Sequence, residues 1–590
     1  MVDPYRMVVI NIIASAVLII AFLFYKYIYP KKTPPYPLII FMLSLLPLIS
    51  MFRKGSYESG DLSLHATRAI SFYEVLLKEH VIPTWSPELN IGYGDTYFEF
   101  IYKLPYIIIS LFHALGFSFI ASVKLLLAAS FVSSGLMFYA FCRSKFSDFA
   151  SFVGSVFYLF APYHLIDMHF RVSIAETLSF FFIPSTFYLI NKLLEKPSKI
   201  IIFIFSMNVA GFLLTHQVIF VSAMPFVFIY LLLNKNNYYK TTLKYFFTGL
   251  ILGLLLSAFH WIPILLESRF IYQSLFRGII SFTPLPTLLF SPWRYGFLFQ
   301  GHYGELSLMI GYSHLLVVVL SIYLLFKRKI KKYKLLLYFL IISFVLLFFM
   351  MLSVSKILWT TLPLLKDFQF TYRLLAMETF FTSFIAVIAV SNLKRNYFWT
   401  VVCFFTVFLT ILNWGNRKSL PNINDASLKT DLISGKSLTG TTEPTAPRWV
   451  DPVKVNFAKR PAGNLEIVQG KAEVKEITRS PYRHTYLINS RSRIRVRENT
   501  FYFPGWKLFI DNRPYRLTYT NIEAPGVIFF TLNEGLHKAE LIYTDTPVRK
   551  AAKWISVVSI LIFLIYYFPY IINRLIKSKF FVQYILSRRI

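Results

Sequence analysis

The chain has 590 residues, of which 56% are hydrophobic, 18% aromatic and only 15% charged, and its mean hydropathy is +0.55. This composition excludes an ordinary soluble globular protein and predicts a polytopic α-helical membrane protein. The spans are expected to be helices because lipid cannot hydrogen-bond the backbone, whereas a helix satisfies its own polar groups. The formal net charge of +32 does not indicate nucleic-acid binding, since many basic residues form short clusters between apolar runs.

Apolar runs long enough to cross a bilayer recur along the chain. They predict about thirteen transmembrane helices, because one crossing needs roughly 20 predominantly apolar residues. The N-terminal run is retained as the first of them, since no small-residue cleavage site follows it. The predicted spans are residues 7–25, 37–52, 118–142, 148–164, 175–191, 199–215, 217–233, 243–264, 307–326, 334–352, 374–392, 398–413 and 552–573.

Short loops rich in lysine and arginine assign the sides of these spans. Such loops stay in the cytoplasm, and here they are KKTPP, CRSK, KLLEKPSK, NKNNYYK, KRKIKKYK and NLKRN. They share one side only if residues 104–115 form a re-entrant or interfacial helix instead of a crossing. We therefore expect a multi-pass protein of the cell membrane with its N-terminus outside and its C-terminus in the cytoplasm. The long polar pieces predicted outside are residues 53–103, 265–306, 353–373 and 414–551.

Three parts follow from this threading. Residues 1–413 form a transmembrane domain whose first outer loop spans 53–103, and residues 552–590 form the last span with a basic cytoplasmic tail. Between them, residues 414–551 show short alternating apolar patterns typical of strands. Asp511-Asn512 is a tight-turn pair between two of these patterns. We predict an extracytoplasmic antiparallel β-sandwich in this segment.

The first outer loop holds two residues suited to acid–base chemistry. Asp61 and His65 are four residues apart at the start of a predicted helix, which places them on one face. Asp61 has two interpretations. It is either a cap for free backbone N–H groups at the helix start or a carboxylate base that faces a cavity beside the lipid.

A second group of ionisable residues lies at the outer junction of two spans, in APYHLIDMHFRVSIAETLSFFFIP. It contains His164, Asp167, Arg171 and Glu176. Ionisable side chains at membrane depth are costly and mark substrate paths or internal ion pairs. Arg171 is therefore either a bidentate ligand for a phosphate or one half of a buried pair with Glu176 or Asp167 that ties helices together.

Further ionisable residues fall on the same predicted side of the membrane. Each is weak evidence alone, but the lysine loops place all of them outside. They are His216, His260, Glu267, His302, Glu305 and Arg373. No zinc-ligand spacing such as HExxH or CxxC is present. A divalent cation, Mg²⁺ or Mn²⁺, held by Asp61 with Glu305 or Glu176 and a donor phosphate stays open, because hard cations favour oxygen ligands.

Several stretches of the sequence resemble two known membrane families. GDLSLHATRAISFYEVLLKEHVIPTWSPELNIGYGDTYFEFIYKLPYII, LFAPYHLIDMHFRVSIAETLSFFFIP and FQFTYRLLAMET resemble the membrane family labelled 6-pyruvoyl-tetrahydropterin synthase-related, although no pterin-enzyme motif occurs. FYFPGWKLFIDNRPYRL and the following residues to KAAKWIS resemble the C-terminal domain of YfhO-like membrane proteins. Both groups are similar to the GT-C superfamily of glycosyltransferases. The resemblance implies a GT-C-like fold and polyprenyl-phosphate sugar donors. It also implies that Asp61, within GDLSLH, is the catalytic acidic residue.

Together with these ionisable residues, the resemblance implies a glycosyltransferase. It would move a hexosyl or pentosyl group from a polyprenyl-phosphate donor to an envelope glycan, lipid or protein. Asp61 would act as the base, and Arg171 or Arg373 would neutralise the leaving phosphate. Trp85, Tyr93 and Tyr97 would either stack on sugar rings or anchor the loop at the membrane interface. The alternative is a non-catalytic protein of envelope polysaccharide assembly or transport with a carbohydrate-binding β domain. Clustering of the ionisable residues favours the enzyme, and their dispersal favours the alternative.

Overall fold

The helical part of the chain follows the predicted spans. In the computed structural model, the described residues are 3–235, 238–276, 278–290, 307–362, 365–366, 368–393, 395–411, 414, 418–434, 444–451 and 463–576. The helices up to residue 267 are α1 (Asp3–Ile28), α2 (Tyr36–Met51), α3 (Leu62–Glu79), α4 (Tyr97–Phe100), α5 (Leu104–Ala114), α6 (Phe119–Arg143), α7 (Asp148–Leu159), α8 (Pro162–Ile166), α9 (Ile174–Glu195), α10 (Lys199–Thr215), α11 (Gln217–Leu233), α12 (Tyr239–Leu256) and α13 (Ala258–Glu267). Those that follow are α14 (Leu285–Leu289), α15 (Tyr312–Phe326), α16 (Lys334–Met351), α17 (Lys356–Thr361), α18 (Leu375–Asn392), α19 (Asn396–Leu409), α20 (Asp425–Ser434) and α21 (Pro547–Ile576).

Several of these helices are long and apolar enough to cross a membrane. Among the described residues four single helices meet that standard, and six do if each of two bent helix pairs counts as one span. Seven shorter apolar helices of 10–17 residues accompany them. The helix predicted not to cross, α5, has 11 residues, so it is about 16 Å long at 1.5 Å per residue. The figure of about thirteen crossings remains a prediction.

Two predicted spans are broken, and one break shapes the site. The helix expected over 148–164 ends at Leu159 and resumes at Pro162 with a bend of 48°, because proline donates no backbone hydrogen bond to the preceding turn. A π turn over Asp167–Arg171 follows and ends at Val172, which has a positive φ of 56°. A β-branched residue is strained in that conformation, and such strain is common at functional positions. The second break, between α12 and α13, bends by 72°.

The helical core is rich in aromatic side chains. Helix α6 packs against both α7 and α9, and α18 packs against α7 with almost its entire length buried. Phe380 of α18 lies 4.6 Å from the ring of Phe187 and 5.7 Å from that of Phe138. Aromatic pairs at these distances contribute about 0.5–1.5 kcal/mol each beyond their buried area.

The described strands form three sheets, of which the two larger are antiparallel and lie in the segment before α21. The strands are β1 (Ser56–Tyr57), β2 (Ser419–Leu420), β3 (Leu465–Gln469), β4 (Ala472–Ser480), β5 (Arg483–Ser490), β6 (Ile494–Phe501), β7 (Trp506–Ile510), β8 (Arg513–Tyr515), β9 (Val527–Leu532) and β10 (Gly535–Tyr543). One sheet has the order β4-β5-β10-β7-β8 and the other β3-β6-β9, and both contribute to one buried apolar core. Asp511 and Asn512 have φ values of 51° and 65°, which confirms the predicted tight turn between β7 and β8.

The first outer loop and the β-rich segment lie on the same side of the helices. Strand β1 of the loop pairs with β2, so that Ser56 is opposite Leu420. The Asp425 carboxylate accepts hydrogen bonds from the first backbone N–H groups of α6, at 2.7 and 3.2 Å. The threading from lysine loops required these pieces to share one side, and in the structure they do.

Candidate functional site

Asp61 precedes α3 without capping it. The hydroxyl of Ser59 accepts the hydrogen bond from the Leu62 N–H at 3.3 Å, and the Asp61 side chain makes no capping bond. The capping interpretation of Asp61 is therefore wrong. Among the residues that the structure describes, no hydrogen bond to its half-buried carboxylate is formed.

Gly60 fixes the place of Asp61. Its N–H donates to the carbonyl of Phe170 at 2.7 Å, which joins the loop to the π turn. A Cβ at Gly60 would lie 3.1 Å from the carbonyl oxygen of Arg171, a tight contact, so glycine favours the close approach. Asp61 consequently sits beside the second group of predicted residues, although about 100 residues separate them in sequence.

The surroundings of Asp61 favour a base. Burial raises the pKa of its carboxyl above the ordinary value, while the positive charges of Arg68 and Arg171 act in the opposite direction and Glu176 adds to the rise. A carboxylate with a raised pKa accepts a proton more readily near neutral pH than an ordinary aspartate does.

Arg171 and Glu176 form a bidentate ion pair at the core of the site. Nη2 of Arg171 donates to Oε1 of Glu176 at 2.8 Å, and Nη1 donates to Oε2 at 3.0 Å. Nη1 also donates to the Tyr163 hydroxyl at 3.0 Å and to the Asp167 carboxylate. The ion-pair interpretation of Arg171 thus describes the contacts that this side chain makes.

Two residues from distant helices complete this cluster. Nε of Arg373 lies 3.4 Å from Oε1 of Glu176, and its Nη1 donates to the Phe368 carbonyl at 2.9 Å. The ring of His216 accepts from the Ile219 N–H at Nδ1, so a neutral ring carries its proton on Nε2, 3.9 Å from Oε1 of Glu176. Asp167, Arg171, Glu176, His216 and Arg373 are therefore brought together.

A polar aromatic wall lies along α3. Nδ1 of His65 is 3.0 Å from the Tyr106 hydroxyl, and Nε2 is 3.5 Å from that of Tyr102. Burial and the charge of Arg68 lower the pKa of His65 to about 3, so this ring is neutral. Arg68 donates to the Tyr97 hydroxyl at 2.8 Å and covers the ring of Tyr97 at 4.2 Å. The sequence prediction missed Arg68, although Asp61, His65 and Arg68 follow the i, i+4, i+7 spacing of one helix face.

Other predicted residues lie elsewhere. His164 is fully buried, donates to the Tyr158 carbonyl from Nδ1 at 3.1 Å and stacks 3.8 Å from Phe180. Trp85 and Tyr93 are buried in the core of the β-rich segment. Trp85 lies 5.5 Å from Trp506, while Tyr93 stacks 4.9 Å from Phe501 and accepts from Arg497 at 3.0 Å. Glu305 and His302 fall outside the described residues.

The described residues do not form a metal centre. No group of three or more His, Cys, Asp or Glu side chains among them is arranged to hold a metal ion. Both oxygens of Glu176 receive hydrogen bonds from Arg171, so this carboxylate does not fit the cation that the sequence left open. The other suggested ligand, Glu305, lies outside the described part of the chain.

Comparisons with known proteins give distant likenesses. No protein-family model matches the sequence. An uncharacterized protein from Lactococcus lactis subsp. cremoris is 24% identical over 238 residues, and the match spans 39% of each chain.

Solved structures of two glycosyltransferases are similar to part of the chain. Arabinofuranosyltransferase AftD from Mycobacteria has a TM-score of 0.42 and 15% identity, over 64% of this chain and 26% of its own. The oligosaccharyltransferase of Archaeoglobus fulgidus has a TM-score of 0.44 and 12% identity, over 71% of this chain and 61% of its own. All of these matches are too distant to define a function, so the residues of the site carry the conclusion.

Proposed function

We propose that this chain is a membrane glycosyltransferase that moves a sugar from a polyprenyl-phosphate donor to a hydroxyl of an envelope glycan, lipid or protein on the outer face. Asp61 carries the proposal. Its carboxylate is half-buried, accepts no hydrogen bond from the described residues and has a raised pKa. Carboxyls whose pKa is perturbed by burial and by nearby charges are typical of functional sites.

The chemistry needs one base and one leaving group. Asp61 takes the proton of the acceptor hydroxyl, and the acceptor oxygen attacks the anomeric carbon of the donor. The bond between that carbon and the phosphate oxygen breaks, and its electron pair leaves with the phosphate. A single displacement of this kind inverts the configuration at the anomeric carbon.

We assign the leaving phosphate to Arg373. The guanidinium fork of Arg171 is occupied by Glu176 and Asp167, and its place in the site is to hold Glu176. Arg373 makes one backbone hydrogen bond and a longer contact with Glu176, and 19% of its side chain is exposed. A guanidinium placed where negative charge develops stabilises the transition state most strongly where water is excluded.

The convergence of ionisable residues supports an enzyme over a non-catalytic assembly or transport protein. Three predicted residues, Arg171, His216 and Arg373, meet at Glu176, and the Asp61 carboxylate, which accepts no hydrogen bond from the described residues, lies near them. A non-catalytic scaffold would need only the ion pairs around Glu176. It would have no use for the Asp61 carboxylate, which accepts no hydrogen bond from the described residues and which Gly60 places beside the π turn.

The test is transfer by the purified chain in lipid nanodiscs. Radiolabelled polyprenyl-phosphate sugars and envelope material serve as donors and acceptor, and the variants are Asp61→Asn and, as a matched control in an exposed turn, Asp511→Asn. We expect Asp61→Asn to lower the rate by about 10²–10⁴-fold, the usual contribution of a general base, and the control to keep the wild-type rate. Wild-type turnover in Asp61→Asn would remove Asp61 from this role. No transfer by the wild type from any donor would instead support the non-catalytic alternative.

A further inference from the structure

A second buried ion cluster lies where α4, α13 and α21 meet. Nε and Nη2 of Arg549 are each 2.8 Å from Oε2 of Glu267, and Nη1 donates to the Tyr543 hydroxyl at 2.6 Å. The Arg549 side chain is only 1% exposed. Tyr543 is the last residue of β10 and packs on Trp85. The cluster therefore joins the β-rich segment to the start of α21 and to the end of α13.

The same cluster reaches the first outer loop through Glu99. One carboxylate oxygen of Glu99 lies 3.8 Å from Nε of Arg549, and the other lies 3.8 Å from Nζ of Lys103. Lys103 also donates to the carbonyls of Phe98 and Glu99, at 2.8 and 3.2 Å. Because Glu99 and Lys103 are both 2% exposed, these charges have little water to replace a lost partner.

The segment held in this way also builds the aromatic wall of the site. Residues 97–106 carry Tyr97, which bonds Arg68, and Tyr102 and Tyr106, which contact the two nitrogens of His65. The Lys103 N–H further donates to the Leu214 carbonyl at 3.1 Å, two residues before His216. A shift of this short segment would move the wall on α3 and disturb the surroundings of Asp61.

We propose that Arg549 is a positioning residue that couples the β-rich segment to the Asp61 site, because through Glu99 it holds residues 97–106 against α3. The activity readout of this inference rests on the proposed function, but the structural readout does not. Arg549 touches neither Asp61 nor the Arg171–Glu176 pair, so its effect travels through the segment that carries the tyrosines.

The test combines hydrogen exchange with kinetics on the full chain in nanodiscs. In Arg549→Met, we expect the backbone amides of residues 97–106 to exchange about tenfold faster, because the buried Glu99 carboxylate loses its ionic contact with Arg549 at 3.8 Å. The control Arg479→Met breaks a comparable ion pair with Glu498 inside the β-rich segment and leaves that exchange unchanged. In the transfer assay, we expect Arg549→Met to lower kcat severalfold per folded molecule, with the folded fraction measured on the same sample, because loss of folded protein alone also lowers the apparent kcat at unchanged KM.

Each outcome decides the inference. Glu99→Gln keeps the shape of the side chain, so it replaces Arg549→Met if that variant does not fold, with the same expected rise in exchange. Adding Glu99→Gln to Arg549→Met should raise the exchange by less than the sum of the two single changes, because both remove the Arg549–Glu99 contact and only Glu99→Gln also weakens the contact with Lys103. Unchanged exchange over residues 97–106 overturns the inference. If the wild type transfers no sugar, the proposed function fails while the exchange experiment still judges the coupling.

Discussion

Two possible roles of Arg171 predict opposite effects of its substitution on stability and on donor binding. As one half of an internal ion pair it stabilises the fold, whereas as a phosphate ligand it would stabilise only the bound donor. In the structure, its Nη2 lies 2.8 Å from Glu176, and the side chains are 12% and 1% exposed. Arg171→Met keeps the length of the side chain and removes the charge, which leaves the carboxyls of Glu176 and Asp167 buried without their guanidinium.

The expected cost follows from burial. Removal of one partner from a buried ion pair costs about 3–5 kcal/mol, a large part of the ~5–15 kcal/mol that holds a typical domain together. Arg373 and His216 remain within 4 Å of Glu176 and soften the loss, so we expect the lower end, about 3 kcal/mol. The double variant Arg171→Met/Glu176→Met removes both charges and should regain much of this loss.

The assay is unfolding of the detergent-solubilised chain, followed by intrinsic fluorescence, with donor-lipid binding measured on the same samples. Arg143→Met is the control, because Arg143 and Asp148 are 52% and 48% exposed and such surface pairs contribute about 0–1 kcal/mol. An Arg171→Met variant that unfolds like the wild type but no longer binds polyprenyl phosphate would refute the ion-pair assignment. A double variant less stable than Arg171→Met would contradict it as well.

Three further outcomes follow from the site and the β-rich segment. Since burial raises the pKa of Asp61 and a base must be deprotonated, the transfer rate should fall as the pH drops, with an apparent pKa above the ordinary aspartate value in the rate–pH profile. Gly60→Ala would place a methyl group 3.1 Å from the carbonyl oxygen of Arg171, so it should lower the free energy of unfolding by about 1–3 kcal/mol and reduce transfer. The control Gly463→Ala, whose methyl group would lie 3.7 Å from its nearest neighbour, should match the wild type in the unfolding and transfer assays. The hydrogen bond from His537 lowers the pKa of Asp511 below its value in the unfolded chain. The turn is therefore stabilised at higher pH and loses that contribution as the pH falls through the folded pKa. Hydrogen exchange of the turn should show this pH dependence in the wild type and not in Asp511→Asn.

Apolar runs were sufficient to predict where most helices lie. The runs at 199–215 and 217–233 coincide with α10 and α11, because a long apolar stretch in lipid has no alternative to an internally bonded helix. The break before Pro162 was not predicted, since hydropathy continues unchanged across it. The proline was the available signal, but no pattern in the sequence foretells the π turn at Asp167–Arg171.

The site was predicted in part, for a physical reason. Sidedness placed Glu176, His216 and Arg373 at one surface, and tertiary packing then brought them within 4 Å. Sidedness carries no information about partners within that surface. It could not show that Trp85 and Tyr93 pack against strands more than 400 residues later. Both side chains are buried against protein aromatics, which does not favour the predicted stacking on sugar rings, and that stacking stays a prediction.

The pairing of Ser56 and Tyr57 with Ser419 and Leu420 bears on biogenesis. The loop that carries Asp61 meets Phe170 early, but it completes its contacts only after the ribosome has made the chain as far as Arg549. At roughly 5–20 residues per second, this interval lasts on the order of 25 to 100 s. The contacts between the first outer loop and the later segments therefore form late. The site is completed only after the helices before them have been inserted.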